Sequence, residues 1–95
     1  MSVTMETTLR RSSEVIYAPV GPEDAVMMSI EAGRYYGLNA VGSRIWELLD
    51  TPMSVAGLCR RILEEFEVDG PTCETAVLGF VGDLIGNGIV HEVAP

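Results

Sequence analysis

The chain has no lysine, one histidine and two cysteines in 95 residues. Each shortage excludes something. Without lysine there is no Schiff-base amine and no ammonium clamp for a phosphate. His91, Cys59 and Cys73 do not form a metal-ligand spacing, and neither cysteine has a CxxC partner. Two cysteines are too few for a disulfide framework, so both are expected as small buried hydrophobes. A cysteine nucleophile would need a base and a lowered pKa, and His91 is the only candidate base. No dinucleotide-binding GxGxxG, no phosphate-loop GxxxxGKS/T and no nucleophile-elbow GxSxG occurs. The N-terminus lacks the apolar core of a signal peptide, and no apolar run reaches membrane-spanning length. The expectation is a cytoplasmic protein that is not an enzyme, with no catalytic residue, no cofactor, no metal and no membrane partner.

Positive charge is missing from one half altogether. The six bases are all arginine (Arg10, Arg11, Arg34, Arg44, Arg60, Arg61), and against fourteen acids they leave a net charge of −8. Residues 1–61 hold all six bases and seven acids, while residues 62–95 hold seven acids and no base. Nucleic-acid affinity rests on basic groups displacing counterions from phosphates, so this half is not a nucleic-acid surface. It keeps a small apolar domain soluble, and it can attract a basic peptide.

What is present is enough apolar content, 47%, for the core of one small domain. Residues 1–12 are polar and unpatterned and are expected to form a loose arm, with the domain running over 13–95. Glu14–Ala18 is short and β-branched and reads as a strand ended by Pro19. Residues 25–31 alternate, with Val26, Met28 and Ile30 on one side and Met27, Ser29 and Glu31 on the other. Ala32-Gly33 has the length of a tight hairpin loop, and Arg34–Leu38 is the returning strand. The first half is therefore a three-stranded antiparallel meander.

Three helices follow. Asn39 is a good N-cap for a helix carrying Val41, Ile45, Leu48 and Leu49 on one face. Asp50-Thr51-Pro52 stops it. Ser54 caps a second helix, in which Val55, Leu58, Cys59, Ile62, Leu63 and Phe66 follow helical spacing. Thr72 is expected to cap a third, with Glu74 in its first turn and a stop at Asn87-Gly88. Residues 89–93 read as a short extended piece. Stepped at about 100° per residue, the apolar arc of the third helix covers about 200°, more than one core face needs. Phe80 and Ala76 extend the arc on one side of Val77, Val81 and Leu84, and Leu78 and Ile85 on the other, near small Gly82.

The run Leu38-Asn39, Gly42, Ile45-Trp46, Leu48-Leu49, Ser54-Val55 and Leu58, followed by Val77, Phe80-Val81, Leu84 and Gly88-Ile89-Val90, resembles the PqqD-like family. These are the recognition elements that bind leader peptides of ribosomally made, modified peptides (RiPPs). The likeness covers residues of about 14–93. It implies an α+β, winged-helix-like fold, a three-stranded antiparallel sheet followed by a three-helix bundle. It also implies a mechanism: the leader peptide of a precursor adds as an antiparallel strand to the third strand, against the third helix. The residues so implied are Gly33, Arg34, Tyr35, Tyr36, Gly37 and Leu38 on the strand and Leu78, Val81, Gly82 and Ile85 on the helix. Within the family, the chain looks like the discrete recognition protein of a lasso-peptide pathway, which hands its precursor to a separate leader peptidase of the transglutaminase-like cysteine protease type or to another modifying enzyme. The alternative is a carrier for the pyrroloquinoline quinone precursor peptide.

Two competing classes remain. A winged-helix DNA-binding regulator would carry Lys, Arg, Asn or Gln on its recognition helix, but Pro71–Gly86 carries two acids and no base. An ordinary interaction subunit would pair its open sheet edge with a second copy of itself.

Overall fold

The computed structural model describes residues 3–22, 24–30 and 33–93. Regular structure begins with β1 (Thr8–Arg11), then β2 (Val15–Pro19), β3 (Ala25–Ser29) and β4 (Arg34–Leu38). It continues through α1 (Ala40–Leu48), β5 (Met53–Ser54), α2 (Val55–Glu65), α3 (Gly70–Gly86) and β6 (Val90–Glu92). The chain is thus α+β, with the expected antiparallel meander in the order β2-β3-β4 and the expected three helices.

The meander has two unlike faces. Tyr17, Met27 and Tyr36 are cross-strand partners in one row, and Pro19, Ala25 and Leu38 in another. Cross-strand partners share a face. Met27, Ala25 and Leu38 are buried, so this is the face on the core. The opposite face holds the rows Ile16–Met28–Tyr35 and Ala18–Val26–Gly37. The alternation in β3 is as read, but its polar-looking set, with Met27 and Ser29, is the buried one; Ile30 is 53% exposed. The β3–β4 connection is also longer than a two-residue loop, because Ser29 pairs with Arg34. Gly33 closes it at φ +66°, a left-handed conformation that suits glycine. Glu31 and Ala32, assigned to the strand end and the loop, lie outside the described residues.

Within the segment expected to be a loose arm, Thr8–Arg11 form a strand. β1 lies at the centre of a second three-stranded sheet, β5-β1-β6. Leu9 pairs with Met53 on one side and Glu92 on the other, and its side chain is fully buried. Burying one leucine contributes about 1.5–3 kcal/mol, and the ladders to β5 and β6 add hydrogen bonds on both sides of a strand whose other side chains are polar. Thr-Leu-Arg-Arg offers one apolar residue and so no alternation to read. Its partners lie more than forty residues away in sequence, at the entrance to α2 and the end of the chain.

The helix ends follow local chemistry. The Asn39 Oδ1 accepts from the Gly42 N–H at 2.9 Å, and the Ser54 Oγ accepts from the Gly57 N–H at 3.0 Å. For α3 the cap is Asp69, not Thr72. Its Oδ2 accepts from both the backbone N–H and the hydroxyl of Thr72, at 3.2 and 2.9 Å, and Pro71 falls in the first turn, where its missing N–H costs nothing. Glu74 accordingly lies beyond the first turn. After Asn87, Gly88 turns left-handed at φ +73° and ends the helix.

One core lies between the meander and the helices. Trp46, 5% exposed, stacks on Tyr17 with ring centroids 6.2 Å apart, and the Arg11 guanidinium lies over its ring at 4.6 Å. The Arg11 Nε also donates to the Trp46 carbonyl at 3.0 Å. β1, β2 and α1 are thereby tied at one point. On the surface, Arg44 of α1 donates to Glu65 of α2 at 2.7 and 3.1 Å and so links the two helices.

Candidate functional site

Strand β4 is an edge. It pairs with β3 and with no other described strand. In an antiparallel edge strand, alternate residues aim N–H and C=O away from the sheet, and these groups are open to a further strand. The residues expected there behave as alternation requires. Arg34 and Gly37 are exposed, Tyr35 is 72% exposed on the outer face, and Tyr36 is half-buried on the core face beside fully buried Leu38. The Tyr36 hydroxyl is buried without a hydrogen-bond partner.

The wall beside that edge comes from α3 and the start of α1. A methyl group placed on Gly42 would meet Leu38 Cδ2 at 3.3 Å, the Asn39 side chain at 3.4 Å and Phe80 Cζ at 3.4 Å. The end of β4, the first turn of α1 and the middle of α3 therefore converge on one glycine. Beside this point opens a cavity of about 430 Å³. Gly42, Ile45, Phe66, Val68, Ala76 and Phe80 contribute much of its wall, and Glu67 is its one charged lining residue.

The α3 residues named from sequence are divided by the fold. The buried stripe is Cys73, Val77, Val81 and Leu84. Val81, expected to meet the peptide, is fully buried and is core. Leu78 and Ile85 are half-buried and pack against the core, and Gly82 has open space over its Cα. At about 100° per residue these three lie roughly 140–160° around the helix from Phe80. Phe80 is the α3 side chain that reaches the point where β4 ends and α1 begins. Surplus apolar surface is present on both flanks, since Phe80, Leu78 and Ile85 are all half-buried. Glycines near Leu78 and Ile85 suggested an open side; the signal for the other flank was Phe80 with Ala76 on the same arc.

Chemistry is quiet elsewhere. Among the described residues no group of three or more His, Cys, Asp or Glu could hold a metal ion. Cys59 and Cys73 are free and buried, and the Cys73 thiol approaches the Cys59 carbonyl at 3.9 Å. Burial, and secondarily the neighbouring Cys73, push the Cys59 thiol up to about 11. That is the reverse of an activated nucleophile. No described helix is long and apolar enough to cross a membrane.

Residues 24–90 match the family model for coenzyme PQQ synthesis protein D (PqqD). None of the curated proteins matches the chain. Among solved structures, TbiB1 in complex with the TbiA(beta) leader peptide is 31% identical with a TM-score of 0.77, over 90% of this chain and 99% of that one. Lasso peptide synthetase B1 complexed with the leader peptide is 26% identical with a TM-score of 0.71, over 87% and 96%. The match extends through β3, β4, all three helices and the first residue of β6, which includes the open edge and the convergence at Gly42. On this evidence the chain is a member of the PqqD family.

Proposed function

We propose that the chain is a RiPP recognition element that binds the leader segment of a precursor peptide and delivers it to a separate maturation enzyme, in lasso-peptide biosynthesis. The leader adds to β4 as an antiparallel strand, with Gly33–Leu38 supplying the backbone and the Phe80 side of α3 the facing wall. Main-chain bonds carry affinity with little sequence demand, and side-chain pockets carry selectivity. The observation that supports this most is the juxtaposition of an unpaired β4 edge with an apolar α3 flank, in a chain similar to two solved leader-peptide complexes. The receiving enzyme is a leader peptidase of the cysteine protease type. Without a leader, the same edge is available to a second copy of the chain.

The test is a fluorescence-polarisation titration with the leader segment of the precursor encoded beside this gene. Submicromolar binding, lost when the leader's apolar anchors become alanine, is expected. Failure to bind that leader would leave the fold assignment standing and remove the function. The family model supports a second reading, a carrier for the pyrroloquinoline quinone precursor. The same titration with that precursor separates the two. The base-free surface of α3, with Glu74 and Asp83 exposed, argues against DNA binding.

A further inference from the structure

We propose that the edge of β4 is charge-polarised and that this polarity sets the direction and register of the bound leader. Arg34 at one end reads an acid in the leader, and Asp24 and Glu67 at the other read a base. The proposal rests on the leader-binding reading above and adds a specificity-determining residue, Arg34. Three observations carry it. Arg34 is the only charged residue in the three strands of the meander, VIYAP, AVMMS and RYYGL. It is exposed and in no ion pair among the described residues, whereas Arg11, Arg44 and Arg61 are each paired. The opposite end of the same strand is acidic. Asp24 directly precedes Ala25, the partner of Leu38, and Glu67 shares a cavity wall with Asn39, the residue after Leu38. Both acids are exposed and in no ion pair among the described residues.

Geometry turns this into a rule for the ligand. Arg34 and Leu38 lie roughly 14 Å apart at about 3.4 Å per residue, beyond a Debye length of about 8 Å at physiological salt. Each end therefore acts on its own neighbours in the leader. A strand antiparallel to β4 sets its C-terminal residues opposite Arg34 and its N-terminal residues opposite Leu38. Cross-strand partners share a face with Cβ atoms about 5 Å apart, so the leader residue opposite Arg34 meets its side chain. The leader that fits carries an acid toward the C-terminal end of its bound segment and a base toward the N-terminal end. A parallel strand would set like charges together at both ends, and a slip of one residue would turn the acid to the other face. A simpler role for Arg34 is an edge charge that discourages pairing between copies of the chain. That role gives no charge preference at any one leader position.

The experiment is a charge scan by fluorescence polarisation. Fluorescein-labelled synthetic leaders of the neighbouring precursor carry a single Glu or a single Lys at each successive position. They are titrated with wild type, Arg34→Glu, Arg34→Gln and Glu67→Lys. The ratio of the Glu and Lys affinities is read at each position, because either charge at an apolar anchor weakens binding. Wild type should prefer Glu over Lys by about threefold to fivefold at a position in the C-terminal half of the bound segment. Arg34→Glu should reverse that preference at the same position, Arg34→Gln should abolish it, and salt at about 0.5 M should weaken it. A preference for Lys in the N-terminal half should respond to Glu67→Lys and not to Arg34→Glu. Arg34 variants that change every leader equally, or none, overturn the proposal while leaving strand addition intact. A reversal confined to the N-terminal half overturns the antiparallel direction. No binding of any leader by wild type overturns the leader-binding reading as well. Circular dichroism checks the fold of each variant, and Arg34→Gln alone decides the matter if Arg34→Glu fails to fold.

Discussion

Trp46 concentrates more of the fold than any other residue. Its ring contacts both Tyr17 and Arg11, its carbonyl accepts from the Arg11 guanidinium, and Arg11 reaches Asp50 at 3.6 Å. Trp46→Ala should cost about 3–5 kcal/mol in urea unfolding, the range for a large aromatic lost from a core. A cost below about 1 kcal/mol would mean that these contacts are not formed in solution. Tyr36 gives an opposite case. Its buried hydroxyl has no partner, and removing such a group relieves a desolvation penalty of about 1–3 kcal/mol. Tyr36→Phe should therefore keep or raise the unfolding midpoint; a clear fall would reveal a hydrogen bond to that hydroxyl. At this scale the sequence was legible where one residue does one local job. Asn39 and Ser54 announce their caps because short polar side chains reach the N–H three residues on. Thr72 misled because its hydroxyl donates to the true cap, Asp69, rather than capping itself.

Among the elements, β1 is the one that sequence could not announce. A single leucine among polar residues carries no period, and its meaning appears only with β5 and β6 on either side. Leu9→Ala should cost about 2–5 kcal/mol, as for other fully buried leucines. A loose arm would make the change silent, so thermal unfolding of this one variant decides between them. The meander, α1 and α2 were legible because alternation and helical spacing persist over several residues. The third helix was half legible. Its wide apolar arc showed that part of it faces beyond its own core, but two flanks qualified, and only the position of Gly42 in another element shows that Phe80 reaches the end of β4. That contact depends on tertiary packing and has no local signal.

At the scale of the whole molecule, charge and burial set the response to pH. Glu65 is held below the usual carboxylate range by its hydrogen bond from Arg44, and Asp69 by its hydrogen bond from the Thr72 hydroxyl. A carboxylate whose folded pKa is lowered stabilises the fold above its unfolded pKa, and that contribution is lost as pH falls through the folded value. The unfolding midpoint should drop below about pH 4.5, and Glu65→Gln should flatten part of that drop. Cys59 works on the alkaline side. Its folded pKa is raised to about 11, so its contribution is complete below the ordinary thiol range and is lost as pH climbs toward that value. An alkaline fall in stability that is unchanged in Cys59→Val would contradict this. Among the described residues, β4 presents an open edge whose end meets an apolar α3 side chain, and binding follows if a peptide completes the sheet. Backbone amide exchange in β4, followed by NMR with and without the neighbouring leader, tests that directly. Strand addition predicts that alternate amides of Arg34–Leu38 become strongly protected on binding. A leader that binds while those amides exchange at their free rate would contradict it.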